Sequence, residues 1–222
     1  MRLAIFDIDG TLVEGSTERR FWRYLLTHGH QGPRQVLAYG WFLLRFLARY
    51  GRETAKKNKA YLFGLSTARI ASLAADFVAA EIVPQLYAPA VARLRQHLRR
   101  GDTVVLVSGT IEPIAQALAT ALGVAHVLAT VCRQRGGKYL ASPPEVHPFG
   151  AMKLALASDF AARIGADLRQ ASAYGDSQHD LILLEAVGNP VAVLPDASLL
   201  ATARGNRWDI IATRDSRQAL PQ

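Results

Sequence analysis

The chain has 222 residues, of which 50% are apolar and 20% are charged, and its formal net charge is +8. This composition is typical of a globular protein, and the length allows one large domain or a core domain with an inserted second one. The single cysteine, Cys132, excludes an internal disulfide framework, and with no secretory signal ahead of the first apolar stretch we expect a cytoplasmic protein.

The first predicted element is a buried strand over residues 3–6, which Asp7 and Asp9 follow directly before Gly10. In extended backbone, residues i and i+2 point the same way, so both carboxylates would leave the strand end on one face. Two neighbouring like charges are unfavourable unless a cation or a shared proton relieves them. The pair therefore favours a divalent metal site or acid–base chemistry over a turn with two solvated carboxylates.

The next stretch, residues 15–88, predicts helices only, over about 16–28, 33–51, 52–65 and 67–82. We interpret it as an insertion between the first strand and the rest of its sheet. It holds 11 Lys/Arg against 4 Asp/Glu, and the excess of basic residues lies wholly in the first half of the chain. Such a surface can attract nucleic acid, anionic lipid or a phosphorylated small molecule.

The second predicted helix, residues 33–51, is unusually apolar. Arg34, Trp41, Arg45, Arg49 and Arg52 fall on one stripe, and aliphatic and aromatic residues cover most of the remainder. Such a helix either packs on several sides, which we favour, or lies in a membrane interface. Its most apolar part, residues 36–48, is interrupted by Arg45 and is shorter than the ~20 residues of a membrane span, so we predict no span.

From Pro89 onward, predicted strands and helices alternate. We predict strands over residues 103–107, 171–174, 191–193 and 210–211, and a hairpin formed by 125–132 and 138–140. We predict helices over 91–100, 112–122, 151–164 and 178–187, and a last helix that ends at residue 203. This alternation predicts an α/β fold with a parallel, Rossmann-like sheet that has helices on both faces.

Polar residues follow three of the predicted strands. Ser108 and Gly109 follow the second strand, and Asp176 and Asp180 follow a later one. Ligands of open α/β sheets bind beyond the carboxyl ends of the strands, so these residues would meet the first acidic pair. Acids from two strands could chelate Mg²⁺. A hydroxyl with backbone N–H groups at a helix start, as expected after Ser108, suits a phosphate oxygen.

The order and spacing of these pieces resemble the haloacid dehalogenase (HAD) superfamily of phosphotransferases. Its four motifs are present as Asp7-Ile8-Asp9-Gly10-Thr11, Ser108-Gly109, Lys153 and Gly175-Asp176-Ser177-x-x-Asp180. The helical insertion resembles the cap of the phosphoserine-phosphatase-like branch. The resemblance spans essentially the whole chain and implies a HAD-like core of residues 1–14 and 89–222 with a helical cap of residues 15–88.

The resemblance also implies how a phosphoryl group would be transferred. Asp7 would be the nucleophile that forms an aspartyl phosphate, and Asp9 would be the general acid and then the general base. Ser108, the Gly109 N–H and Lys153 would surround the transferring phosphoryl group, whose charge needs fixed positive partners.

Mg²⁺ is the cofactor that the resemblance implies. The Asp7 carboxylate, the Asp9 backbone carbonyl and Asp176 would hold it, and Asp180 would support the loop or a metal-bound water. Zinc is not expected, because the histidines lack ligand spacing.

Two positions depart from the phosphoserine phosphatase pattern. The glutamate that receives the substrate ammonium is usually nine residues after the nucleophile, where this chain has Ser16, and we expect Glu14 and Glu18 to point elsewhere. His179 precedes the last aspartate, where asparagine is common, and we interpret it as a surface histidine.

The substrate stays open at this stage. Arg52, Lys56 and Lys59 are the candidates to bind a substrate carboxylate. We predict a Mg²⁺-dependent phosphatase of a small phosphorylated metabolite, with histidinol phosphate or a lipid phosphate as alternatives. We expect no nucleic-acid partner, and peripheral membrane contact through the second helix remains an alternative. A non-catalytic protein that binds anionic ligands is the other class, but it has no need of both Asp7 and Asp9.

Overall fold

The computed structural model describes residues 1–212, apart from the side chain of Arg52. A six-stranded parallel sheet forms the centre of the protein, and a separate two-stranded sheet is formed by the fourth and fifth of the eight strands in these residues. The strands are β1 (Leu3–Phe6), β2 (Thr103–Ile111), β3 (His126–Thr130), β4 (Gln134–Arg135), β5 (Lys138–Tyr139), β6 (Ser172–Gly175), β7 (Asn189–Val193) and β8 (Asp209–Ile211). The main sheet has the order β3-β2-β1-β6-β7-β8, with every neighbouring pair parallel. The predicted parallel α/β fold is confirmed.

Nine α-helices accompany the sheet in the described residues. They are α1 (Thr17–Thr27), α2 (Pro33–Tyr50), α3 (Thr54–Lys57), α4 (Thr67–Phe77), α5 (Ala88–Arg99), α6 (Glu112–Leu122), α7 (Ala151–Ile164), α8 (Leu181–Ala186) and α9 (Ala197–Gly205). Strand side chains alternate between the two faces, so Ala4 and Phe6 enter one apolar core with α5 and α6, while Leu3 and Ile5 enter a second with α7, α8 and α9. Helices therefore cover both faces of the sheet.

The inserted segment between β1 and α5 has two layers. Phe21 of α1 and Phe77 of α4 belong to the same apolar core as Ile114 of α6, so this layer packs directly on the central fold. Ala38 and Phe42 of α2 belong to a separate small cluster further out. The boundaries of a cap at residues 15 and 88 stay a prediction.

Residues 52–65 are less helical than expected. They hold the four-residue helix α3 and the 3-10 turns Gly51–Glu53 and Ala60–Leu62. Asn58 ends α3, because its side-chain oxygen accepts the Ala60 N–H and its side-chain nitrogen donates to the Tyr39 carbonyl. Such local side-chain bonds compete with the helical pattern.

The expected hairpin over residues 125–132 and 138–140 is wrong in its first strand. Residues His126–Thr130 form β3, a parallel edge strand in which Leu128 lies beside Val107 of β2. The hairpin that does form joins β4 to β5 through Gly136 and Gly137, whose φ angles are 58° and 70°. A two-residue turn of this kind needs positive φ at both positions, so the glycines fix the hairpin there.

Candidate active site

Asp7 lies at the carboxyl end of β1, between the ends of β2 and β6. Its N–H donates to the Tyr174 carbonyl of β6 at 3.0 Å, and its side chain is buried. The chain leaves β1 for β2 on one side of the sheet and returns to β6 on the other. Asp7 therefore occupies the place where strand order reverses, which is where open α/β sheets bind ligands.

Lys153, in the first turn of α7, joins two carboxylates in the interior. Its Nζ lies 2.7 Å from Asp7 Oδ1 and 2.5 Å from Asp180 Oδ1. Burial alone would lower the pKa of Lys153, but the charges of Asp180 and Asp7 outweigh it and hold the pKa above the ordinary lysine value. The ammonium is therefore a fixed positive charge beside the end of β1.

The loop after β6 adds Asp176 and holds Asp180 in place. Asp180 Oδ2 accepts from the N–H groups of Asp176 and Ser177 at 3.3 Å and from Ser177 Oγ at 3.1 Å. One oxygen from each of Asp7, Asp176 and Asp180 lies within 4.8 Å of the others, and all three residues are buried.

Burial opposes the ionised form of Asp7 in this cluster. Burial raises the pKa of Asp7 well above its usual range, the charges of Asp180 and Asp176 raise it further, and Lys153 opposes the shift. Oxygen ligands in a buried, acidic group are the donors that hard divalent cations prefer. The residues present therefore fit Mg²⁺.

Gly10 brings the chain directly against Asp176. Its φ is +88°, and a Cβ built there would lie 2.2 Å from Asp176 Oδ2 and 2.7 Å from Oδ1. Any other residue would be strained by the positive φ and would displace the carboxylate. The glycine of the first motif thus sets the position of an acid from the fourth.

Asp9 points away from the acidic cluster. Its Oδ1 accepts from the N–H of Thr17 at 2.9 Å and from Thr17 Oγ1 at 2.7 Å, at the start of α1. Burial raises the pKa of Asp9, and the bonds from Thr17 oppose the shift. A carboxyl group with a raised pKa suits proton donation to a leaving oxygen. The Asp9 carboxylate lies outside the cluster of Asp7, Asp176 and Asp180, and the resemblance implies its backbone carbonyl, not its carboxylate, as a metal ligand.

Ser108 and Gly109 lie within β2 and not at the start of a helix as expected. The strand continues to Ile111, and its register with β3 shifts between Val107 and Ile111. Such an irregularity re-aims side chains and is common beside active sites. Ser108 is buried, and its Oγ accepts the Thr110 N–H at 3.3 Å.

A cleft of about 970 Å³ opens over these motif residues. Asp7, Asp9, Ser108, Gly109, Lys153 and Asp176 line it, together with Ser16, Arg19, Phe149 and His179. Ser16 also caps α1, because its Oγ accepts the Arg19 N–H at 3.3 Å. Most of the expected site residues therefore meet at one cleft. The remaining acid, Asp180, lies beneath its floor and is 2% exposed.

A second cavity of about 340 Å³ adjoins the cleft and shares Asp9, Ser16 and Gly109 with it. Glu14 lines the cleft and Glu18 lines this cavity, so the expectation that both point elsewhere is wrong. Glu18 Oε2 lies 2.5 Å from Lys59 Nζ, and Glu18 Oε1 accepts from the Tyr61 hydroxyl at 3.0 Å. The charge of Lys59 is therefore already matched inside the protein.

The other two candidate cations of the insertion differ from Lys59. Lys56 also lines the second cavity, where its Nζ lies 4.0 Å from the centre of the Phe149 ring. In the described part of the chain no carboxylate lies within ion-pair distance of Lys56. The side chain of Arg52 is outside the described structure.

Several residues that line these cavities were not among the expected site residues. Thr17 could have been found, because it begins the helix that Ser16 was expected to cap. Arg19, Phe149 and His147 carry no pattern that marks them, and only the folded chain brings them to the site.

Comparisons with known proteins show what the chain is similar to. Residues 4–185 match the family model of the haloacid dehalogenase-like hydrolases. The chain is 30% identical to a phosphoserine phosphatase of Mycobacterium tuberculosis, over 97% of this chain and 72% of that protein. It is 25% identical to a histidinol-phosphatase of Neisseria meningitidis, over 94% of this chain and 97% of that protein.

Solved structures share the fold. A protein of unknown function from Bordetella pertussis superposes with a TM-score of 0.81 at 29% identity, covering 95% of this chain and 98% of its own. A phosphoserine phosphatase solved as a phospho-aspartyl intermediate analogue superposes with a TM-score of 0.61 at 20% identity, covering 97% and 95%. The second likeness concerns the fold alone.

Proposed function

The chain belongs to the haloacid dehalogenase-like hydrolase family and is a phosphatase, and we propose that it hydrolyses a small phosphate monoester in two steps through an aspartyl phosphate on Asp7. The observation that carries this proposal is the buried contact of Lys153 with Asp7 and Asp180, with Asp176 beside them. It supports the proposal because the candidate nucleophile, a fixed cation and a candidate metal site lie together in the cleft.

In the first step, an oxygen of Asp7 bonds to phosphorus while the bond from phosphorus to the leaving oxygen breaks. Asp9 gives its proton to that leaving oxygen, and its raised pKa favours the protonated form that this requires. In the second step, Asp9 accepts a proton from a water molecule whose oxygen bonds to phosphorus, and Asp7 is released as a carboxylate together with inorganic phosphate.

The transferring group carries negative charge on three oxygens. Ser108 Oγ, the Gly109 N–H and the Lys153 ammonium line the cleft around the position that it would take. Because these donors are fixed and largely shielded from water, they stabilise the charge without reorganising during the reaction.

Asp7 and Asp176, with the backbone carbonyl of Asp9, would hold Mg²⁺, and Asp180 would fix the loop and Lys153. Bound there, Mg²⁺ supplies positive charge to the phosphoryl oxygens. The oxygens of Asp7, Asp176 and Asp180 within 4.8 Å of one another support this assignment.

The leaving group would occupy the second cavity. Residues of the 15–88 segment line much of it, among them Glu18, Lys56 and Lys59, which supports a role of that segment as a cap over a core of residues 1–14 and 89–222. Glu18 and Lys59 line this cavity as a matched pair, and Lys56 adds a cation without a carboxylate partner in the described residues, so the cavity suits a small, polar leaving group. Phosphoserine and histidinol phosphate, named by the relatives' activities, are therefore the first substrates to try.

The test is a screen of phosphate release with phosphoserine, histidinol phosphate, a lysophosphatidate and p-nitrophenyl phosphate at matched concentrations. We expect release that Mg²⁺ supports and EDTA abolishes, with one phosphorylated metabolite preferred over p-nitrophenyl phosphate. Release that is unchanged after complete removal of divalent cations would disprove the metal assignment. Absence of release from every compound in Mg²⁺ would disprove the catalytic proposal for these substrate classes.

A further inference from the structure

Helix α2 presents an open apolar face to solvent. Five large side chains on it are between 54% and 83% exposed, namely Val36, Leu37, Trp41, Leu44 and Leu47. We call these five residues the α2 face. Single exposed apolar residues are ordinary on protein surfaces, but a contiguous set along one helix marks an interaction surface.

The opposite side of α2 accounts for the packing of the helix. Gln35, Ala38 and Phe42 are buried there, and Phe42 forms a small core with Ala60, beside the partly buried Phe46 and Phe63. The helix is therefore anchored through one side only. With 18 residues its axis is about 27 Å long, so the α2 face is an extended strip.

Positive charge borders this strip, and the first acid beyond it is Glu53, after the end of α2. Residues 19–52 contain seven Lys/Arg and no Asp or Glu. Arg45 and Arg49 are exposed on α2, where their guanidinium carbons lie 5.5 Å and 5.3 Å from the centres of the neighbouring Phe46 and Tyr50 rings. Neither has a carboxylate partner among residues 1–212.

We propose that the α2 face docks on the surface of a bilayer that contains anionic lipid. The apolar side chains would enter the boundary between head groups and acyl chains, and Arg45 and Arg49 would contact the acidic head groups. Within residues 1–212 there is no helix with the length and apolar character needed to cross a membrane, so α2 would lie along the surface.

Charge is the reason to choose lipid over a second copy of the chain. A two-fold dimer through the α2 face would place the same surface against itself. Both copies would then bring Arg45 and Arg49 to one interface, and the stretch from Arg19 to Arg52 holds no acid to pair with them. An anionic bilayer supplies the opposite charge.

The test is co-sedimentation of the full chain with vesicles of phosphatidylcholine, or of phosphatidylcholine with about 30% phosphatidylglycerol. We expect binding to the anionic vesicles that falls at least about fivefold between 50 mM and 500 mM salt, since screening weakens surface charges. Leu44→Asp should weaken binding by at least about tenfold, because the exposed leucine would be buried in the bilayer on docking and an aspartate would not. Arg45→Gln with Arg49→Gln should weaken it by about tenfold.

Matched controls separate docking from general effects of charge and folding. Val83→Asp also places an acid at an exposed apolar position, and Arg95→Gln with Arg99→Gln also removes two exposed arginines. Both controls should bind vesicles like the wild type, and all variants should keep their hydrolysis of p-nitrophenyl phosphate in solution. This last readout makes failure of docking distinguishable from failure of the proposed catalysis.

Three results would overturn the proposal. One is a wild-type protein that does not sediment with anionic vesicles at low salt. Another is Leu44→Asp binding as well as the wild type. The third is a wild-type dimer, measured by light scattering, that Leu44→Asp converts to a monomer while neither form binds vesicles, which would make the α2 face a subunit interface.

Discussion

The ammonium of Lys153 lies 2.7 Å from Asp7 Oδ1, and both side chains are more than nine-tenths buried. Lys153 also contacts Asp180, so one cation holds acids from the first and the last motif together. Losing that cation would leave buried carboxylates without compensation, which is far more costly than losing an exposed pair.

Lys153→Met should therefore affect both activity and stability. We expect phosphate release to fall by at least about a hundredfold, since a fixed charge on the transferring group is lost. The melting temperature should fall more in EDTA than in Mg²⁺, because a divalent cation can partly replace the missing charge. Lys138→Met, at an exposed lysine of β5, is the matched control. Equal melting shifts in both buffers would contradict this account of the charge balance.

Asp7→Asn should abolish turnover while leaving the fold intact. An amide oxygen is a poor nucleophile, so we expect the rate to fall by at least about a thousandfold. Wild-type protein quenched during turnover of a ³²P-labelled substrate should carry label that hydroxylamine removes, and the variant should carry none. Asp159→Asn, at an exposed aspartate of α7, should be labelled like the wild type. Label that persists in Asp7→Asn would move the nucleophile elsewhere.

Asp9→Asn should distinguish leaving groups. An alkyl alcohol needs a proton as it leaves, so its phosphate ester should react about 10²- to 10⁴-fold more slowly. p-Nitrophenolate leaves without a proton, so the first step should survive while the second slows. Rapid mixing should then show a burst of about one p-nitrophenolate per protein molecule. Equal loss for both substrates without a burst would argue against the acid–base role.

Gly10→Ala should weaken the metal site. The new Cβ would lie 2.2 Å from Asp176 Oδ2, so Asp176 would have to move, and we expect the Mg²⁺ concentration for half-maximal activity to rise at least about tenfold. Gly101→Ala is the control, because its φ is +74° with nothing within 4 Å of the added Cβ. It shares the backbone strain but should leave the Mg²⁺ requirement unchanged. An unchanged requirement in Gly10→Ala would dissociate Asp176 from the metal.

His147 should make the protein less stable in acid. Thr130 Oγ1 gives its proton to the Gly109 carbonyl, so His147 Nδ1 donates to Thr130 Oγ1 and Nε2 is left buried without a partner. Burial, followed by the charges of Lys59, Lys57 and Lys56, lowers the pKa of His147 to about 3.

An unfolded histidine has a pKa of about 6.5, so the unfolded chain binds the proton more readily. The contribution of neutral His147 to stability is therefore complete above about pH 6.5 and is lost as the pH falls from there toward the folded pKa. Between about pH 7.5 and 5, the free energy of unfolding in urea should fall by about 2 kcal/mol more for the wild type than for His147→Gln. Parallel curves for the two proteins would refute the assignment.

Several features were predictable because they depend on neighbours along the chain. The apolar run of residues 3–6 with two acids after it specified a buried strand with carboxylates at its end, and the alternating strands and helices after Pro89 specified a parallel sheet. Gly123 and Gly165 ended α6 and α7 as expected, each with a left-handed φ. The order of the four motifs then indicated the family.

Other features depend on which elements meet. Periodicity shows that α2 is apolar, but it cannot show that Phe42 is buried while Leu44 is open to solvent. Strand signals within 125–132 could not assign that segment to the sheet edge beside β2, because pairing partners are chosen by packing.

The sequence by itself thus determined the types of the main elements and the acids at the strand ends, since local periods of 2 and 3.6 residues encode them. Only the tertiary structure decided that Lys153 joins Asp7 to Asp180, that Asp9 turns to Thr17, and that Glu18 pairs with Lys59. Those contacts join residues distant in the chain, and their geometry is set by how helices pack on the sheet.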